Sequence, residues 1–378
     1  MKRIALTGVL VALVAGTARA QTVQGYGGDQ TASTSSSNII LKGVSSSEVI
    51  PASVSSIFGN AASPEDHQGD KKDLAKCDKC NQAWPNCCCH SGSSCGLFAE
   101  WLFLTPRGGD LVYAARAGNC FDPPTGGAEQ IDFGAQSGFS VGFFKDCGAC
   151  SDISVKWMHF EATEEDHTTP TTGADVILPL LFHPSLVNCP AATSTSARAS
   201  QSIDFDRVNI DFRSRCRWKG CELDWLVGFG YGQLNQNISA YYDEGFVKAN
   251  SDIYGYGVRL GGGATYGHGC MKLFTHADLT LLAANVSANY SNVDLFDGGQ
   301  VDYEQDLDRI IPVLDLEVGL SMDLGCGTML KFGYLYSMWC NTVTTPSFIE
   351  DVQKGDITGN SGDVLSFDGL FVRLEFVW

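Results

Sequence analysis

The densest run of reactive side chains is "CDKCNQAWPNCCCHSGSSC", Cys77 to Cys95, with six cysteines and His90 in nineteen residues. Thiolates and an imidazole are the donors of a tetrahedral Zn²⁺ site. The spacing argues against one. No second, well-separated Cys-x-x-Cys follows Cys77-x-x-Cys80, and the consecutive Cys87, Cys88 and Cys89 do not all turn toward one ion. Cross-linking through Cys77, Cys80, Cys87, Cys88, Cys89 and Cys95, within the chain or between molecules, fits better, and no metal is assigned.

Further along, Cys147-Gly-Ala-Cys150 has the spacing of a redox motif but falls between two extended segments, not at a helix start where a thiolate is stabilised. It reads as a structural clamp. Cys216 and Cys221 flank the next short turn, where opposed residues with Cα atoms about 4.5–5.5 Å apart suit a disulfide. Cys270 and Cys326 lie at the same rim as a third candidate pair.

Glu164-Glu165-Asp166-His167 offers an Asp-His couple of the kind that activates water when a second carboxylate group faces it across a barrel mouth. Asp302, Glu304 and Asp306 are available elsewhere, but surface loops are rich in such residues, and a solvated loop is the reading adopted. No Gly-rich phosphate loop or Gly-x-Ser-x-Gly elbow occurs. No catalytic residue and no cofactor is assigned.

These groups need elements to position them, and composition bounds what those are. The 378 residues carry 43 Asp and Glu against 25 Lys and Arg, a net charge of -18. So acidic a chain is a poor partner for nucleic acid. "MKRIALTGVLVALVAGTARA" has Lys2 and Arg3, an apolar stretch and Ala18-Arg19-Ala20, which reads as a secretory signal cleaved after Ala20. Export suits oxidised cysteines, and fifteen of them leave an odd one. Residues 21–76 are rich in Ser, Gly and Ala and read as a flexible arm. The cysteine-rich segment 77–95 follows.

From residue 96 to 378 the texture is alternation. In the terminal "FDGLFVRLEFVW", Leu370, Val372, Leu374, Phe376 and Trp378 share one face, and Arg373 and Glu375 the other. Period two marks a strand whose faces meet different surroundings. Nine more segments read alike, among them "CELDWLVGFGYG", "MKLFTHADLTLLA" and "PVLDLEVGLSMD". "IDFDRVNIDF" has a parity break near its start, suggesting a bulge. Short connections ("KDCGACSD", "RCRWKGC", "TYGHGC", "DLGCGT") alternate with long ones at 105–130, 165–200, 237–250, 291–308 and 341–363. An even strand count, alternating loop lengths and apolar faces of about 9–11 residues predict an all-β, antiparallel up-and-down transmembrane β-barrel of about ten strands in a bacterial outer membrane. Splitting or merging segments gives 8 to 14. The last strand closes the sheet on the first, with Phe376 and Trp378 at the lipid interface as a C-terminal signal for the barrel-assembly machinery.

"FAEWLFLTPRGGDLVYA" resembles the opening strand of the Legionella-type pore-forming major outer-membrane protein family: Glu100, Trp101-Leu102-Phe103, Pro106, then Leu111-Val112-Tyr113-Ala114. Leu104 departs from the aromatic more usual there. "GFSVGFFKDCGACSDISVKWMHFEA" is similar to the family's next hairpin, with Gly138-Phe139, Gly142, Trp157 and Phe160. The pattern covers 97–378, with about sixty residues of recognisable motif. The resemblance implies a porin-like pore and carries over no catalytic residue; the cysteine-rich segment lies outside it.

The expected function is passive diffusion of small solutes or ions, with an inner wall lined by Glu100, Asp224, Arg259, Lys272, Asp278, Asp315, Glu317, Lys331, Arg373 and Glu375. The acidic excess predicts weak cation preference. His276 is expected as a lumen residue. The alternative is a structural or adhesive barrel with a filled lumen, cross-linked through cysteines, since barrels of eight or so strands can be filled by side chains. Expected partners are outer-membrane lipid and a homo-oligomer or disulfide-linked complex.

Overall fold

The computed structural model describes residues 94–119, 127–148, 150–170, 176–186, 194–218, 221–295, 298–355 and 362–378. The signal segment, the arm and most of the cysteine-rich segment lie outside the described residues. Among the described residues the strands in chain order are β1 (Cys95–Arg107), β2 (Leu111–Ala117), β3 (Ala128–Ile131), β4 (Gln136–Gly148), β5 (Ser151–Thr168), β6 (Val176–Pro179), β7 (Ala197–Trp218), β8 (Cys221–Tyr242), β9 (Gly245–His268), β10 (Met271–Asp294), β11 (Gln300–Gly325), β12 (Thr328–Thr342) and β13 (Asp363–Val377); an α-helix, α1 (Thr345–Lys354), precedes β13.

Ten of these strands, β1, β4, β5 and β7 to β13, form a closed antiparallel barrel. Closure is between β13 and β1, with Glu100 opposite Arg373 and Leu97 opposite Phe376. The chain end therefore leaves no open sheet edge, which is what lipid requires. At the rim where both described ends emerge, the turns are tight. Cys326 and Gly327 form one of them, with φ of 54° and 73°, the left-handed pair of a type I′ hairpin.

The strands are longer than the apolar stretches that announce them. β8, β9, β10 and β11 run 22, 24, 24 and 26 residues, whereas about 9–11 suffice to cross a bilayer. The excess is explained by an inversion of polarity at constant parity. In β10 the outward positions are Leu273, Leu279 and Leu281 near the termini, then Asn285, Ser287, Asn289 and Ser291. The inward positions run the other way, from His276, Asp278 and Thr280 to Leu282, Val286 and Tyr290. One half is built for lipid outside and polar side chains inside. The other is a water-surrounded barrel around an apolar core.

This inversion corrects two expectations. Segments 237–250 and 291–308 are not long loops: β8 passes to β9 through Asp243-Glu244, and β10 to β11 through residues 295–299. They read as loops because their outward residues are polar. The break in "IDFDRVNIDF" is no bulge, since β7 pairs with β5 and β8 without a register shift. Phe205 and Arg207 both face inward, on opposite sides of the transition. β4 begins at Gln136; Ile131 ends β3, and Phe133 is buried in the core.

The other long connections fold back into the polar-walled half. β2 pairs with β3 and β6 in a small separate sheet. Tyr242 from β8 donates to the Tyr113 carbonyl at 2.6 Å, and Tyr290 from β10 to the Leu181 carbonyl at 2.8 Å. α1 buries Phe348, Ile349 and Val352, the apolar face of a two-turn amphipathic pattern, and ends on Gly355 in the left-handed conformation. Its Gln353 side-chain amide donates to the carbonyls of Leu180 and Phe182.

Candidate functional site: the lumen

Parity decides which side chains enter the lumen, and register decides which of them meet. Glu100, Ser140 and Met158 share one row across β1, β4 and β5, and Asp278, Asp315 and Ser337 another across β10, β11 and β12. Eight of the ten residues expected on the inner wall form ion pairs with Lys, Arg, Asp or Glu in the lumen; Asp224 lies beside His276, and Lys272 lines the cavity there without an ion pair among the described residues.

The charges form connected clusters. Arg207 grips Asp315 with two hydrogen bonds, 2.8 and 2.7 Å, from β7 across to β11, and the Ser337 hydroxyl donates to the same carboxylate at 2.7 Å. Arg259 reaches Asp278 at 2.5 Å, Asp211 at 3.3 Å and Asp315 at 3.5 Å. His276 stands between Asp224, 3.3 Å from Nδ1, and Asp278, 3.0 Å from Nε2. Nearer the rim, Arg373 bonds both Glu100 and Glu317, Lys156 lies 3.2 and 3.5 Å from the same two carboxylates, and Lys331 pairs with Glu375 at 2.7 Å. A charge this deep is tolerable only when paired, because burial removes its water.

Between these clusters and the rim is a cavity of about 300 Å³ lined mainly by polar groups, among them Asp152, Arg213, Asp224, Lys272, Glu317 and Glu375, with Phe98, Phe144 and Phe274 beside them. Above the clusters the lumen turns apolar. Phe205 of β7 meets Phe367 of β13 with ring centroids 4.8 Å apart, and Phe160 of β5 meets Phe367 at 5.5 Å. Trp339 of β12 crosses to β8: a Cβ at Gly232 would lie 3.0 Å from its ring, so glycine there admits the indole. The inner wall thus meets other side chains, charged in one half and apolar in the other.

Sequence reasoning missed Lys156, Arg207 and Asp211. Each alternates inward beside residues that were read correctly, but the apolar partners in their strands drew attention to the opposite face. Trp339 was missed because its apolar character at an inward position contradicts a polar lumen; only the inversion makes sense of it.

The Asp-His couple does not assemble. Asp166 and His167 are successive residues of β5 and point to opposite faces; Asp166 accepts the Tyr113 hydroxyl at 2.9 Å, and His167 is exposed. Asp302, Glu304 and Asp306 sit at exposed alternate positions of β11, on its outer face. Burial pushes the Tyr242 and Tyr113 hydroxyls upward, out of the ordinary tyrosine range. Among the described residues no group of His, Cys, Asp and Glu is arranged to hold a metal.

Two of the three expected disulfide pairs need correction. Cys147, Cys150, Cys216 and Cys221 are free, as are Cys95 and Cys340. Register supplies the reason: Cys216 lies opposite Leu223, and Cys221 opposite Trp218, so the two thiols are diagonal neighbours. Such Cα atoms are about 7–8 Å apart, too far for a disulfide. Cys270 and Cys326 are both disulfide-bonded, and the Asp323 amide donates to the Cys270 carbonyl between their turns. Phe376 and Trp378 are exposed, on the outward face of the last strand.

A family model described as the Legionella pneumophila major outer membrane protein precursor matches residues 91–378. No curated protein matches the chain. Among solved structures, the outer membrane protease OmpT from Escherichia coli aligns with a TM-score of 0.46 at 9% identity, over 76% of this chain and 99% of that one. A major outer membrane protein from Thermus thermophilus aligns at 0.32 and 10% identity, over 76% and 100%. The translocator domain of the autotransporter NalP from Neisseria meningitidis aligns at 0.34 and 11% identity, over 80% and 95%. At these scores the likeness carries no functional argument.

Proposed function

This chain belongs to the Legionella pneumophila major outer membrane protein family, a family of the bacterial outer membrane, and from that premise we propose that it is a porin-like protein passing small ions through a constricted lumen, with weak preference for cations. The observation that carries the reading is the polar cavity of about 300 Å³ inside the lipid-facing half, lined by both acidic and basic side chains. Fixed charges at close quarters replace part of an ion's hydration and bias which sign enters. Carboxylates slightly outnumber Lys and Arg along that wall, eight against seven. Passage beyond the cavity requires the ion-paired clusters and the apolar layer around Trp339 to part, so conductance is small and intermittent.

Purified protein in a planar bilayer tests this. Expected are brief, small conductance steps whose reversal potential across a salt gradient lies on the cation side. Anion-selective steps would overturn the preference, and a silent bilayer the pore itself. A specific observation favours a second reading, a structural surface barrel: the contacts of Phe160, Phe205 and Phe367 span the lumen. A bilayer that stays silent for the wild type and for a Trp339→Ala variant supports it.

A further inference from the structure

We propose that a shallow depression on the outside of β7, β8 and β9, beside Lys248, binds an anionic saccharide of the glycolipid that forms the outer leaflet of a bacterial outer membrane. The depression has a volume of about 280 Å³, and Ser200, Ser202, Asn237, Ser239, Lys248 and Asn250 line it. The proposal rests on the barrel's place in the outer membrane and not on ion passage.

Register builds the depression. Ser202, Asn237 and Asn250 stand opposite one another in one row across the three strands, and Ser200, Ser239 and Lys248 in the next. Three strands span about 10 Å and two such rows about 7 Å. Five of the six side chains are short and end in a hydroxyl or an amide. The row beyond, Arg198, Tyr241 and Phe246, is longer and walls the depression on the side away from the lipid.

Its charge suits an anion. Lys248 is exposed, its Nζ lies 5.3 Å from the centre of the Phe246 ring, and among the described residues it has no carboxylate partner. On the lipid side the Asn250 amide donates to Asp252 at 3.1 Å and the Asn235 amide to Asp204 at 2.8 Å. Those two carboxylates repel a second negative group, so the site accommodates one, against Lys248. The Ser200, Ser202 and Ser239 hydroxyls and the Asn237 amide make no side-chain hydrogen bond among the described residues. An ammonium flanked by free hydroxyls and an amide offers one charge-assisted bond and several neutral ones, the donor set for sugar hydroxyls and a single carboxylate or phosphate.

Height selects the occupant. Along β9 the outward residues change from Tyr256 and Tyr254 to Asp252, Asn250 and Lys248. Lys248 lies about 20 Å along the strand from Tyr254, which is about 15 Å above the lipid boundary at a tilt of about 40°. The tight turns are at the other rim, so this half of the barrel is the extracellular one. Acyl chains end below that level, and the saccharide of lipopolysaccharide runs through it.

The test uses the full chain, purified in detergent, with three probes: rough lipopolysaccharide, lipid A without its core, and the deacylated core saccharide. Affinity is read by isothermal titration, and heat-modifiable migration reports that each variant has folded. Lys248→Glu should bind rough lipopolysaccharide about tenfold more weakly, the size of one charge-assisted hydrogen bond. Ser202→Trp, which fills the depression without changing charge, should lose as much. Lys145→Glu, the same charge change on an exposed residue at the opposite rim, should match wild type. The deacylated core should compete with rough lipopolysaccharide for wild type and not for Lys248→Glu, and lipid A alone should bind all variants alike. Equal affinities of wild type and Lys248→Glu for rough lipopolysaccharide would overturn the site, as would a core saccharide that fails to compete. A loss in Lys248→Glu with none in Ser202→Trp would overturn the depression in favour of unspecific attraction, and a Lys248→Glu defect toward lipid A alone would overturn the saccharide in favour of the head-group phosphates.

Discussion

Asp315 accepts two hydrogen bonds from Arg207 and one from Ser337, with Arg259 at 3.5 Å, and only 7% of its surface is exposed. Asp315→Asn leaves two buried guanidinium groups short of a counter-charge. Loss of one partner of a buried pair costs about 3–5 kcal/mol, so the variant should unfold at clearly lower urea concentration in detergent micelles. Adding Arg207→Met should recover part of the loss; equal midpoints for wild type and D315N would count against the cluster as described. Asp243, in the hairpin between β8 and β9, shows the pH side. Burial pushes its carboxyl up, but hydrogen bonds from Thr195 and Ser196 outweigh this and hold it below the usual range. A depressed folded pKa means its contribution is complete above the unfolded value, about 3.9, and fades as pH falls through the lower folded value. Protease nicking at 243–244 should therefore rise below about pH 4, and in Asp243→Asn it should be high at all pH.

For the elements, the inversion of polarity along each long strand sets where lipid ends. Ile210 and Ser200 both point outward from β7, the first within the apolar band and the second above it. Arginine on a lipid face costs about 2–4 kcal/mol at the midplane and about 0–1 near the interfaces. Ile210→Arg should lower folding yield into liposomes strongly, whereas Ser200→Arg should behave like wild type; matching yields would place the band elsewhere. The strand cores were legible in the residues for the same reason: alternation in "CELDWLVGFGYG" needs no partner to be seen. The strand ends were not. Past Tyr231 the outward side chains become Gln233, Asn235 and Asn237, and polar outward residues look like loop until the inward Leu234 and Ile238 are known to share a core.

At the scale of the molecule, the lumen is crossed by Trp339, which no charge pattern announces. Truncating a large buried aromatic costs about 3–5 kcal/mol and leaves a cavity, here in line with the polar one below. Trp339→Ala should therefore lengthen and enlarge the conductance steps relative to wild type in the same bilayer. Unchanged steps would mean that ions take no route past this layer. Several inward charges assigned from alternation are ion-paired, which moves the expected conductance downward from that of an open, water-filled channel.

Alternation and an apolar final strand were enough to point to a lipid-facing barrel of about ten strands and to give the parity of Glu100, Asp315 and Arg373, because period two is a local property of the chain. Only the tertiary structure decided that Arg207 reaches Asp315 across the barrel, that Phe205 meets Phe367, and that Cys216 misses Cys221. Each depends on the register and closure of distant strands, and a shift of one residue in register would send every one of those side chains to the opposite face.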